Sequence, residues 1–107
     1  MSYSKYGNRK IKTEDGTFDS QKEYRRWQEL KLLQRAGEIK NLARQVKFEL
    51  IPKQDGERAI YYVADFVYID NRTGERVVED AKGAKTDVYI IKRKLMKYMH
   101  NITVQEV

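Results

Sequence analysis

The chain has 107 residues, enough for one domain with one core and too few for two. Its 22 Lys and Arg against 16 Asp and Glu leave a net charge of +6, which favours a polyanionic partner, either nucleic acid or an acidic membrane surface. With no Cys and one His, His100, it excludes disulfides, thiol nucleophiles and zinc ribbons, and it is short of ligands for HNH-type or zinc-hydrolase chemistry.

Residues 1–13 carry Lys5, Arg9, Lys10 and Lys12 with no acid before Glu14, and read as a basic N-terminal arm. Met1 to Gly7 lacks the apolar core of a signal peptide, and no apolar run approaches the roughly 18 residues of a membrane span. No membrane partner is expected, and a cytoplasmic location follows by default. Asp15-Gly16 is a turn, anchored by Phe18. Asp19-Ser20 then opens a helix. Ser20 with Glu23 fits a capping box, and Tyr24, Trp27, Leu30 and Leu33 recur at helical spacing as its buried face. Ala36-Gly37 closes it.

Three strands follow. Gln45 to Ile51 alternates, with Val46, Phe48 and Leu50 on one face and Pro52 ending it. Lys53 to Glu57 is a hairpin-type loop. Ala59 to Ile69 is apolar on both faces, as a central strand would be. Asp70 to Gly74 is a second turn, and Val77 to Lys82 is the third strand. Gly83 breaks the pattern. Thr86 or Asp87 caps a second helix with a core stripe of Val88, Ile91, Leu95 and Met99 or Tyr98. Asn101 interrupts it, and Ile102 to Val107 reads as a short final strand. The order is αβββαβ in a single domain, an α/β fold.

Asp65, Asp80 and Lys82 carry the chemistry. A polar group buried without a partner costs roughly 2–7 kcal/mol, and a charge costs more. Yet Asp65 sits among Tyr, Val, Phe and Ile. Alternation puts Asp80 and Lys82 on one face and Glu79 on the other. If the hairpin aligns the faces, Asp65 and Asp80 converge beside Lys82. Two carboxylates with a backbone carbonyl, at Ala81, and waters suit Mg²⁺, with Mn²⁺ as a substitute. Lys82 would then position a nucleophile or hold a phosphate oxygen. The plainer reading is a set of ordinary ion pairs on a solvated sheet face, since 36% of the residues are charged. Glu23 lies near the buried face of the first helix, either as the capping-box acid or as a third acid reaching the metal directly or through water. Gln45 and Glu79 are candidates for supporting positions around the site.

For DNA contact, Lys85, Tyr89 and Lys92 fall on one helical face opposite the apolar stripe. Lys5, Arg9 and Lys10 of the arm are a second candidate. The alternatives are a solvated basic face and a solubilising tail. His100 is given no catalytic role. Phosphate contacts carry no base identity, so recognition of backbone or structure is expected rather than of a long sequence.

The element order with Asp65, then Asp80-Ala81-Lys82, resembles the core of the PD-(D/E)XK nuclease superfamily. More narrowly, Lys5-Tyr6-Gly7-Asn8, Phe18-Asp19-Ser20 with Glu23, Gln45 to Leu50, Tyr62 to Phe66 and Val78 to Gly83 look like a small phage-encoded family within it, one of unknown function. The resemblance implies a restriction-endonuclease-like αβββαβ core, a mixed sheet flanked by helices. It also implies metal binding at Asp65 and Asp80, nucleophile assistance by Lys82 and completion of the site by Glu23. Ala64 stands where the motif has Pro, and no Gln-x-x-x-Tyr follows Lys82, which disfavours a RecB-like exonuclease. The function expected is that of a Mg²⁺-dependent DNA endonuclease, a phage or prophage protein acting in the host cytoplasm. Branched-DNA or Holliday-junction cleavage is one subtype, and it would require a homodimer. The alternatives are a non-catalytic nucleic-acid-binding module that kept the fold, and an interaction protein for a phage assembly partner.

Overall fold

Ser20, in extended backbone at φ −158°, starts the first helix by accepting the Glu23 N–H on its hydroxyl at 3.1 Å. The computed structural model describes residues 10–81 and 85–107. In chain order it contains β1 (Ile11–Thr13), β2 (Gly16–Phe18), α1 (Gln21–Arg35), β3 (Ile39–Ile51), β4 (Ile60–Asp70), β5 (Arg76–Asp80), α2 (Asp87–His100) and β6 (Gln105–Glu106). From α1 onward the order is αβββαβ.

The main sheet runs β3-β4-β5-β6. The first three strands are antiparallel, and β6 returns parallel to β5 after α2. The sheet is therefore mixed, and its parallel pair is joined by a helical crossover, as a parallel pair requires. One face packs on α1 through Leu30, Phe66 and Tyr68, with Trp27 stacked on Phe66 at 6.1 Å between centroids. The other face packs on α2 through Phe48, Leu50, Tyr62, Val78 and Met96. Each such side chain, fully buried, contributes about 1.5–3 kcal/mol.

Four sequence expectations are corrected. Within the arm, residues 11–13 pair with Gly16–Phe18 as a small hairpin, because Phe18 is wholly buried and the Arg44 guanidinium covers its ring at 3.7 Å. Lys5 and Arg9 lie outside the described residues. β3 begins at Ile39 rather than Gln45. Asn41 and Gln45 both have left-handed φ, 58° and 53°, so strict alternation is absent over its first half. Leu33 is exposed and only Leu30 of the expected α1 stripe is fully buried, because the sheet covers only part of that helix face.

The largest difference is in α2. Val88, Ile91, Tyr98 and Met99, assigned to the core, are exposed, while Leu95 packs on the core as expected, together with Tyr89 and Met96. The helix is rotated by about one residue, 100°, from the orientation that its apolar stripe suggests. Its ends are as expected: the Thr86 hydroxyl accepts the Tyr89 N–H, and Asn101 closes the helix at φ 56°. β5 ends at Asp80, and Lys82 lies outside the described residues. Among the described residues no helix is long and apolar enough to cross a membrane.

Candidate functional site

The β4–β5 ladder pairs Phe66 with Glu79 and Val67 with Val78. Asp65 and Asp80 are the next residue of each strand beyond the last pair of that ladder. Both carboxylates are buried, at 3% and 1% exposure, and both line a cavity of about 770 Å³. The first turns of α1 and α2 form its walls, with Lys22 and Glu23 on one side and Val88, Tyr89 and Lys92 on the other. Two helix N-termini therefore face one cavity, and their free N–H groups favour an anion there.

Each acid is held in place. The Ala81 N–H donates to Asp65 Oδ2 at 2.7 Å. The Tyr62 hydroxyl donates to Asp80 Oδ2 at 2.7 Å. Burial and the neighbouring Asp80 charge push the Tyr62 phenol above its ordinary range, so it stays a proton donor. Glu23 is 4% exposed and completes a shifted capping box. Its Oε1 accepts from the Asp19 N–H at 3.2 Å rather than from Ser20. Its Oε2 faces Gln45 at 3.2 Å and Arg44 at 3.6 Å.

Gln45 joins the two sides. Its side-chain amide donates to Glu23 and, at 3.4 Å, to Asp65. A non-glycine residue at φ 53° inside a strand is strained by about 1–3 kcal/mol, and such strain persists only where the surroundings impose it. The matching distortion in β4 is visible in its packing. Tyr62, Ala64 and Val67 lie on the α2 side, while Phe66 and Tyr68 lie on the α1 side. Alternation slips by one residue within Ala64–Phe66, and this slip places Tyr62 and Asp80 on the same side. Strict period-two reading puts Tyr62 and Asp65 on opposite faces, which is why Tyr62 was missed.

Glu79 lies away from the cavity. Arg26 grips it with two hydrogen bonds, from Nε at 2.8 Å and Nη2 at 2.6 Å, and the Tyr68 hydroxyl donates to it as well. This buried clamp fastens α1, which carries Glu23, to β5, which carries Asp80.

The expected DNA-contacting residues separate. Lys85 and Tyr89 are engaged by Glu106, at 3.0 and 2.7 Å, and Arg93 joins them at 2.8 Å. These three donors hold the Glu106 carboxyl well below the usual range, at about 2. Lys92 lines the cavity, as does Lys10, whose ammonium is 3.8 Å from Asp19 on the surface. Lys22 lines it too and was not singled out from sequence. Its one available signal was its place next to Glu23 in the first turn of α1.

Among the described residues no three carboxylates or imidazoles lie close enough to form a metal cluster. The donor set still suits Mg²⁺. It is a hard-oxygen set from two carboxylates, and Mg²⁺ is commonly held through one or two carboxylates with the rest of its shell water or phosphate.

The family described as "Protein of unknown function (DUF1064)" matches residues 3–105. No curated protein matches the chain, and no solved structure does.

Proposed function

We propose that this chain, which belongs to the DUF1064 family, is a metal-dependent nuclease that hydrolyses DNA phosphodiesters at the Asp65–Asp80 cavity. The observation that carries the reading is the pair of buried carboxylates at the floor of a cavity walled by two helix N-termini and by Lys10, Lys22 and Lys92. Acid below and base around is the charge pattern that a bound cation and a polyanionic backbone require together.

Asp65 and Asp80 would hold the metal, with the Ala81 carbonyl beside them and Glu23 acting through water. Mg²⁺ or Mn²⁺, when bound, supplies a water acidified toward neutral pH and neutralises charge on the scissile phosphate. Tyr62 and Gln45 orient the two carboxylates. Lys92, Lys22 and Lys10 hold phosphate oxygens, and Lys82, two residues beyond Asp80, positions the nucleophile. Phosphate holding of this kind suits recognition of DNA structure, including branched DNA, rather than a long sequence. The alternative is a non-catalytic nucleic-acid-binding module, and it draws on the lack of a three-ligand cluster among the described residues.

The test is a cleavage panel in Mn²⁺ and Mg²⁺ on duplex, single-stranded, flapped and four-way DNA. Wild type should cut at least one substrate. Asp80→Asn and Lys82→Ala should each lose at least about 100-fold while keeping DNA affinity within a few-fold. Equal cleavage by wild type and Asp80→Asn would remove the site assignment. Salt-sensitive binding with no cleavage in either metal would favour the binding module.

A further inference from the structure

Two cavities meet at Lys22. It lines the Asp65–Asp80 cavity, and with Arg25, Arg26, Glu29 and Val107 it lines a second cavity of about 350 Å³. The cations of the two helices differ in how they are engaged. On α1, Arg26 is committed to Glu79 and, at 3.4 Å, to Glu29, the acid of the second cavity. Lys22 and Arg25 are exposed and have no ion-pair partner among the described residues. On α2 the opposite holds. Lys85, Tyr89 and Arg93 converge on the Glu106 carboxylate at 3.0, 2.7 and 2.8 Å. Glu106 is the β6 residue paired with Asp80, so the sheet fixes it beside the first cavity, which Tyr89 lines.

We propose that the DNA backbone leaves the Asp65–Asp80 cavity across the first half of α1, over Lys22 and Arg25 and along the second cavity, and that Glu106 keeps the α2 cations out of the contact. Residues three apart on a helix are neighbours, about 5–6 Å between Cβ atoms, so the long side chains of Lys22 and Arg25 reach neighbouring phosphates of one strand. The Arg25 guanidinium presents a planar fork suited to a phosphate. Neither residue has to give up an ion pair to bind. A phosphate arriving at Lys85 or Arg93 meets a carboxylate already seated among its donors. Taking those donors would strip Glu106 of its partners and set two anions side by side, which electrostatic complementarity disfavours. Lys85 and Tyr89, which the sequence pattern turns toward DNA, therefore serve to hold α2 to β6. The inference rests on the reading of the first cavity as a DNA site, and it does not require that the DNA be cut.

Fluorescence anisotropy of the full chain on labelled duplex and four-way DNA, in EDTA, from about 50 to about 300 mM salt tests it. Arg25→Ala should weaken binding and flatten the slope of log affinity against log salt by about 1, with its thermal midpoint unchanged. Arg25→Lys should restore the slope. Arg93→Gln should leave the slope within about 0.3 of wild type. Glu106→Gln releases Lys85 and Arg93, so it should tighten binding and steepen the slope by about 1 to 2, a gain that a purely structural carboxylate would not give. An unaltered slope in Arg25→Ala overturns the inference. So does an Arg93→Gln slope that flattens as much as that of Arg25→Ala, or a Glu106→Gln variant that binds as wild type does. No binding by wild type at the lowest salt overturns it together with the DNA-site reading. Binding that depends on Arg25, with no cleavage in Mn²⁺, upholds it and removes only the nuclease activity.

Discussion

Arg26→Met tests the clamp that joins the two halves of the site. Met keeps most of the stem and removes the charge. Glu79, 2% exposed, then retains the Tyr68 hydroxyl as its partner among the described residues. Removing one member of a buried ion pair costs about 3–5 kcal/mol, because the other charge stays buried. The Arg26 side chain is 26% exposed, so water screens part of the interaction and the lower end, about 3 kcal/mol, applies. Against a total stability of about 5–15 kcal/mol for a domain of this size, that is a large fraction. The thermal midpoint should fall by about 12 °C or more. Trp27 is the only tryptophan and stacks on Phe66, so its fluorescence reports urea unfolding directly. Adding Glu79→Gln to the variant removes the stranded charge and keeps an acceptor for Tyr68, and should recover about 2 kcal/mol. A loss below about 1 kcal/mol for Arg26→Met would show that the pair behaves like a surface contact, and the clamp would have to be abandoned.

Gln45→Gly relieves the left-handed strain but removes the hydrogen bonds to Glu23 and Asp65. Stability should change by less than about 1 kcal/mol, while Mn²⁺ affinity, read by electron paramagnetic resonance titration, should fall about tenfold. Unchanged affinity would reduce Gln45 to a backbone role. Glu106 has a folded pKa below its unfolded one, so its contribution is present above about pH 4.5 and is lost as pH falls toward about 2. Urea unfolding at pH 5, 3.5 and 2.5 should therefore show wild type losing its advantage over Glu106→Gln across that interval. A constant difference between the two would refute the linkage. Lys22→Glu combined with Lys92→Glu should weaken DNA binding and flatten the slope of log affinity against log salt by about 2, as expected for two lost phosphate contacts. An unaltered slope would take both residues off the DNA path.

The features legible in the sequence were those set by local rules. Ser20 and Thr86 start helices because their hydroxyls accept N–H groups three residues on. Asn101 stops a helix because it tolerates a left-handed φ, and the turn at Asp70–Gly74 follows from its residue types. The meeting of Asp65 with Asp80 was also implied, because a tight turn fixes hairpin register and period two then assigns faces. The choice of Asp80 over Glu79 for the cavity came from the same alternation.

What only the tertiary structure decided depends on contacts between elements distant in sequence. Period two alone gave no sign that β4 slips near Asp65, since the slip is matched by Gln45 in another strand, 20 residues away. Tyr62 reaches Asp80 because of that slip. Glu79 is fixed by Arg26, 53 residues earlier, on a helix that had first to dock on the sheet. The apolar stripe of α2 was correctly read as a stripe, but of its residues Leu95 packs on the core while Val88, Ile91, Tyr98 and Met99 are exposed. Helical periodicity shows which residues share a face. It does not show which face turns to the sheet, because that is settled by how Tyr89 and Met96 pack against strands that the helix meets only in the folded chain.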